Sequence, residues 1–133
     1  MELYKILELD NEKVAAVVNP PENYFNLLGG TVGQTKNFPS LKSGRFDVIH
    51  LFVTDKIELC DLLKEATFSV SPWGTIWIST SLKTEKTKDL ITEPFLKKSA
   101  LQYGLLVVDT SVIDENWNAS KLIFKEKSAS SLF

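Results

Sequence analysis

The sequence predicts an α/β protein: a three-layer α/β/α sandwich around a mainly parallel sheet, closed by an antiparallel C-terminal strand. Three observations lead there. "FDVIHLFV", residues 46–53, is an almost unbroken apolar run, as in a strand covered on both faces. Leu59, Leu62, Leu63 and Ala66 then recur at i, i+3, i+4 and i+7, the spacing of a helix with one face turned inward. Strand and helix signals alternate through residue 110, after which two strand signals follow with too little chain between them for a crossover helix. Right-handed crossovers give the parallel part, and the short connection forces the last strand to reverse.

The elements follow in order. Residues 1–10, "MELYKILELD", are mildly amphipathic and read as a short helix or a covering arm. "KVAAVV" (13–18) is a β-branched run ended by Asn19-Pro20-Pro21, because proline cannot donate to a ladder. "ENYFNLL" (22–28) makes a short helix, with Pro21 suited to its first turn and Gly29 to its stop. A second strand is expected near Thr35–Phe38. After 46–53, Thr54-Asp55 offers a helix cap with Glu58 within capping-box reach. "SPWG" (71–74) reads as a break before the strand "TIWIST" (75–80). A lysine-rich loop leads to a helix that starts at Asp89 or, more compatibly with Pro94, near Thr92, and ends at Tyr103-Gly104. "LLVVDTSVI" (105–113) and "SKLIFKEK" (120–127) are the final strands, joined by "DENWNA". The expected organisation is one domain over 1–127 and a frayed tail over 128–133.

Composition narrows the function classes. A chain of 133 residues can bury one core, and a net charge of −2 gives no general attraction to nucleic acid or anionic membrane. Of the 15 basic residues only Arg45 is an arginine, so bidentate clamps on phosphate or guanine are unsupported. Cys60 is the sole cysteine and His50 the sole histidine, which leaves neither a disulfide framework nor a metal cluster to build. Cys60 falls beside Leu59 and Leu63 as a small core or boundary residue. His50, inside "VIHLF", reads as a core histidine with satisfied partners rather than a base. Trp77 reads as packing and Trp73 as surface. No apolar run approaches the roughly 18 residues of a membrane span, and the start lacks a signal peptide's basic head and apolar run. The expected compartment is the cytoplasm.

Several segments, in this order, resemble an uncharacterised bacterial family, a domain of unknown function with a small methyltransferase-like Rossmann fold. They are "NPPENYFNLLG" after the first strand, "FDVIHLFVTDKIEL" at the central strand and its helix, "SPWGTIWIS", the Lys83-to-Asp89 loop and "VIDENWNASKLIF". The resemblance spans residues 13–127. It implies a truncated class I methyltransferase-like fold and no established activity. "TSLK" stands where the family tends to have an aromatic-Pro-Lys, and Pro94 is a second departure.

Asn-Pro-Pro raises the question of methyl transfer to an amine, since Asn-Pro-Pro-Tyr is the signature of amino-methyltransferases. Here the fourth residue is Glu22 in place of the stacking aromatic, and the motif follows the first strand, where the Gly-rich turn for S-adenosylmethionine belongs. "GGTVGQ" follows a helix, so it reads as a loop needing φ > 0 rather than a phosphate cradle. No cofactor is therefore expected. S-adenosylmethionine is the one to consider, but its Gly-rich signature is absent.

In open parallel sheets, ligands bind beyond the carboxyl ends of the strands. That rule nominates Asn19, Glu22 and Tyr24 after the first strand, Thr54 and Asp55 after the central one, and Ser79, Ser81 and Lys83 after the next. The hairpin turn adds Asp114 and Trp117. Each also has a local reading: Asn19 as a turn residue, Thr54 and Asp55 as helix caps, Lys83, Lys86 and Lys88 as a solvated loop, Trp117 as a sheet-edge plug. The leading expectation is a non-catalytic module that binds a small molecule or a protein partner. A divergent S-adenosylmethionine-dependent methyltransferase is the alternative. A structural protein that forms a homodimer through its terminal strand or exposed aromatics is the third.

Overall fold

In the computed structural model, the described residues are 3–9, 13–28, 35–37, 45–81 and 91–130. In chain order they form α1 (Leu3–Ile6), β1 (Ala15–Val18), α2 (Tyr24–Leu28), β2 (Thr35–Asn37), β3 (Phe46–Val53), α3 (Lys56–Ser69), β4 (Val70–Ser81), α4 (Glu93–Gln102), β5 (Leu105–Val112), β6 (Trp117–Phe124) and α5 (Lys125–Ser130). The six strands make one sheet in the order β2-β1-β3-β4-β6-β5. β1 pairs parallel with β2 and β3, and β3 pairs parallel with β4. β6 runs antiparallel to both its neighbours. The expected α/β sandwich with a reversed final strand is what forms.

Alternation along β3 explains the unbroken apolar run. Ile49, Leu51 and Val53 face one side, where Leu59, Leu63 and Ala66 of α3 and Leu96 and Ala100 of α4 cover them. Val48 and Phe52 face the other, against Leu3 and Leu7 of the N-terminal arm, Tyr24 and Leu28 of α2, and Trp77. With both faces covered, no position from Val48 to Val53 needs a polar side chain, and His50 is the exception that calls for partners.

α4 starts where Pro94 permits. Thr92 caps it, its Oγ1 accepting the Phe95 N–H at 3.3 Å, and Pro94 falls in the first turn, where a missing N–H costs nothing. Gly104 ends the helix with φ +74.

Three boundaries differ from the sequence expectation. "SPWG" does not break the chain: β4 starts at Val70 and continues through it. Phe46 pairs with Val70 and Val48 with Thr75, so β3 advances two residues while β4 advances five. The surplus is taken up as an irregular bulge, one of the few sheet positions open to proline. Gly74 is obligatory there, because a Cβ would stand 2.7 Å from both the Asp47 carbonyl oxygen and Val70 Cγ2. Gly74→Ala is expected to cost about 1–2 kcal/mol, measured as a shift in urea midpoint at unchanged slope. β6 covers Trp117–Phe124 rather than 120–127, because Trp117 already pairs with Ser81. Lys125–Ser130 then form α5, so residues 125–127 are helix instead of strand and 128–130 continue it; 131–133 lie outside the described residues. α1 is a short helix of Leu3–Ile6 within the expected 1–10 segment; the other strand and helix ends given by the sequence reading agree to within two residues, with Phe38 outside the described residues.

β5 is an edge strand. Its register with β6 slips between Val107 and Asp109, leaving Val108 as an extra, 45% exposed residue, and the Asp109 carboxylate accepts the Thr110 N–H at 2.8 Å.

Candidate functional site

The strand order reverses direction between β1 and β3: β2 lies to one side of β1, while β4 lies to the far side of β3. The loops leaving β1 and β3 therefore diverge, and a crevice opens between them. At the exit of β1, Asn19 adopts φ +57, a left-handed conformation that asparagine tolerates better than other side-chain-bearing residues. Pro20 and Pro21 follow and bring no N–H groups to the exit. Across the crevice, Asp55 caps α3 by accepting the Glu58 N–H at 2.8 Å, and Glu58 returns Oε1 to the Thr54 N–H at 3.0 Å. This pair follows the capping-box spacing legible in the sequence, with Glu58 reaching one residue past the Asp55 cap to Thr54. The other Glu58 oxygen lies 3.5 Å from the Asn19 amide nitrogen, linking the two exits. A hollow of about 500 Å³ lies here, lined among the described residues by Asn19, Asp55, Ile57, Glu58, Asp61 and Leu62.

Behind the crevice, on the α2 face of the sheet, runs a buried polar chain. The Tyr24 hydroxyl lies 3.2 Å from His50 Nδ1, and His50 Nε2 lies 2.5 Å from Ser79 Oγ. All three residues are at most 1% exposed. Burial lowers the His50 imidazole to about 3, and burial raises the Tyr24 phenol. Both groups are thus neutral at pH 7. Phe52 stacks on the imidazole at 4.4 Å between centroids, and Trp117 meets Phe52 edge-on at 4.9 Å. The indole N–H of Trp77, on the same face, is buried with no acceptor among the described residues.

The structure therefore distributes the nominated residues among different places. Asn19 and Asp55 line the hollow; exposed Thr54 gives its N–H to Glu58. Tyr24 and Ser79 are sealed in the core around His50. Glu22 is exposed and Ser81 half-buried. The Asp114 carboxylate accepts the N–H groups of Asn116 (2.8 Å) and Trp117 (3.0 Å), closing the hairpin turn. Trp117 packs on Phe52. Lys83, Lys86 and Lys88 lie outside the described residues. Ile57, Glu58, Asp61 and Leu62 line the hollow without having been nominated. Asp61 and Leu62 lie one turn after the α3 cap, beyond the strand ends that the rule inspects. Cys60 is half-buried, as its place beside Leu59 and Leu63 suggested.

A smaller hollow of about 270 Å³ lies at the opposite, amino-terminal edge of the sheet, bounded by Lys13, Asp47, Ser71, Trp73 and Gly74. Trp73 is 69% exposed and carries Lys127 Nζ 4.6 Å above its ring. Among the described residues no group of three or more His, Cys, Asp or Glu gathers at metal-binding spacing, and no helix is long and apolar enough to cross a membrane.

No protein-family model matches the chain, and no curated protein matches it in sequence. Solved structures match in fold. The tRNA methyltransferase TrmK of B. subtilis superposes with a TM-score of 0.59 at 9% identity, over 97% of this chain and 68% of its own. An O-methyltransferase family protein from Burkholderia thailandensis gives 0.58 at 14% identity, over 92% of this chain and 55% of its own. The CcbJ methyltransferase from Streptomyces caelestis gives 0.56 at 10% identity, over 90% and 86%. Set beside such proteins, the chain resembles a truncated class I methyltransferase-like Rossmann fold.

Proposed function

We propose that this chain is a non-catalytic Rossmann-like module that binds a small ligand in the hollow between the exits of β1 and β3. The observation that carries this reading is the construction of the β1 exit. Where a nucleoside cofactor's anionic end would need converging backbone N–H groups, the chain presents left-handed Asn19 and two prolines. The facing wall is Asp55, Glu58 and Asp61, which repels a carboxylate or phosphate. These residues do not fit the methionine carboxylate of S-adenosylmethionine. The chain's one imidazole does not face the hollow: it is buried behind the lining, hydrogen-bonded on both nitrogens.

The second reading, a divergent S-adenosylmethionine-dependent methyltransferase, is favoured by the fold likeness to methyltransferases and by a hollow at the carboxyl edge of the sheet. Calorimetric and thermal-shift titration with S-adenosylmethionine and S-adenosylhomocysteine separates the two. The binding-module reading expects no saturable heat and a Tm unchanged within about 1 °C at millimolar cofactor. Micromolar binding that disappears in Asn19→Ala would replace it with the enzyme reading.

A further inference from the structure

The buried Tyr24–His50–Ser79 chain spans from the sheet to a helix of five residues, and the two ends are held very differently. Ser79 is fixed: it is fully buried in β4 and paired to Phe52 on one side and Ala119 on the other. Tyr24 opens α2, whose described buried residues are Tyr24 and Leu28, and whose entry is the Asn19-Pro20-Pro21 turn. A helix this short has no stability of its own, so α2 stays in place through what it buries against the sheet.

A neutral imidazole donates from one nitrogen and accepts at the other, whichever tautomer is present. That suits two hydroxyl partners, since one can donate and the other accept. Adding a proton makes both nitrogens donors. The hydroxyl that was donating to the ring must then swing its hydrogen aside and accept instead, so its O–H loses its acceptor, and a full charge sits among apolar walls. From β1 the neighbour is Val17, and from β4 Trp77 accompanies Ser79. α2 contributes Tyr24, the one other titratable group facing the ring among the described residues, and β3 contributes Phe52. The N-terminal arm covers this face with leucines, and its Glu8 pairs with Lys121 of β6 through a half-exposed carboxylate at the rim. No carboxylate among the described residues compensates an imidazolium.

We infer that His50 is a proton-sensitive latch: protonation releases α2 and the Asn19-Pro20-Pro21 turn while the sheet and the α3–α4 layer stay folded. The weak end yields because Ser79 cannot move and Tyr24 can. The consequence is that the β1 exit, and with it the shape of the hollow, changes with acidity. This holds whatever the hollow binds.

Because His50 is the only histidine, its imidazole ¹⁵N signals identify it without assignment. The experiment follows these signals in the full chain from pH 7 to pH 4, together with the Tyr24 ring and the Leu28, Ile49 and Ile78 methyls. The expected result is a single neutral tautomer at pH 7 that does not titrate near 6.5. Below about pH 5, Tyr24 and Leu28 move to solvent-like positions while Ile49 and Ile78 keep native ones. Tyr24→Phe, which keeps the packing and loses the hydroxyl, raises the release midpoint by at least half a pH unit. His50→Gln, which cannot take the proton, removes the release from this range. If His50→Gln does not fold, Tyr24→Phe decides alone. An imidazole that titrates near 6.5 with α2 in place overturns the latch. So does simultaneous loss of α2 and core signals, or an unchanged midpoint in Tyr24→Phe.

Discussion

Replacing Phe52 by alanine is expected to cost about 3–5 kcal/mol. The ring is 2% exposed and touches three others: Tyr24 edge-on at 5.5 Å, His50 at 4.4 Å and Trp117 edge-on at 4.9 Å. Removing it leaves a void bordered by a polar chain that must keep its geometry, so the walls cannot collapse freely. Phe68→Ala supplies the contrast. Phe68 is 76% exposed near the end of α3, and its truncation is expected to stay within about 0.5 kcal/mol of the parent. Urea unfolding of both variants measures the difference. A Phe52→Ala loss below about 1.5 kcal/mol would mean that the cluster is not packed as described.

The second large effect is acid lability. His50 is held at about 3 in the native state by burial, against about 6.5 when unfolded. Between those values the unfolded chain carries a proton that the native one refuses. Stability is therefore whole above pH 6.5 and falls as the pH drops toward 3, by about 1.4 kcal/mol per unit from this one group. From pH 6.5 to pH 5 the expected loss is about 2 kcal/mol. Below the pH at which α2 lets go, the slope flattens, because the native state then takes the proton as well. Unfolding midpoints at half-unit intervals test this, with His50→Gln giving a curve flatter by that amount. Equal slopes for the two proteins would remove the histidine from the account.

The fold was legible because its signals are dictated by local chemistry. An eight-residue apolar run needs cover on both faces, the Leu59–Leu63–Ala66 spacing supplies one cover, and a hairpin too short for a helix fixes the last strand's direction. What misled was "SPWG": proline and glycine announce irregular backbone, but do not say whether pairing resumes afterwards. Here the partner strand β3 holds both flanks, so the irregularity becomes a bulge. The site was half legible. Strand ends can be located from sequence, which is how Asn19 and Asp55, both of which line the hollow, came to be nominated. Tyr24 and Ser79 are equally close to strand ends, yet they turn inward to serve His50, and that depends on which polar group the core must satisfy. Conversely, Asp61 and Leu62 line the hollow from the turn after the α3 cap, a position the strand-end rule does not reach.

The outer margin of the sheet sets a limit on how this protein can assemble. Extending a sheet by another chain's backbone requires a straight row of unsatisfied amides, and β5 does not offer one. Its ladder is kinked at Val108, and one amide, that of Thr110, is already answered by its own neighbour Asp109. Self-association at this margin is therefore expected to join side-chain surfaces rather than continue hydrogen-bonded strands across the β5 boundary, and fibrous growth from β5 is disfavoured from the outset.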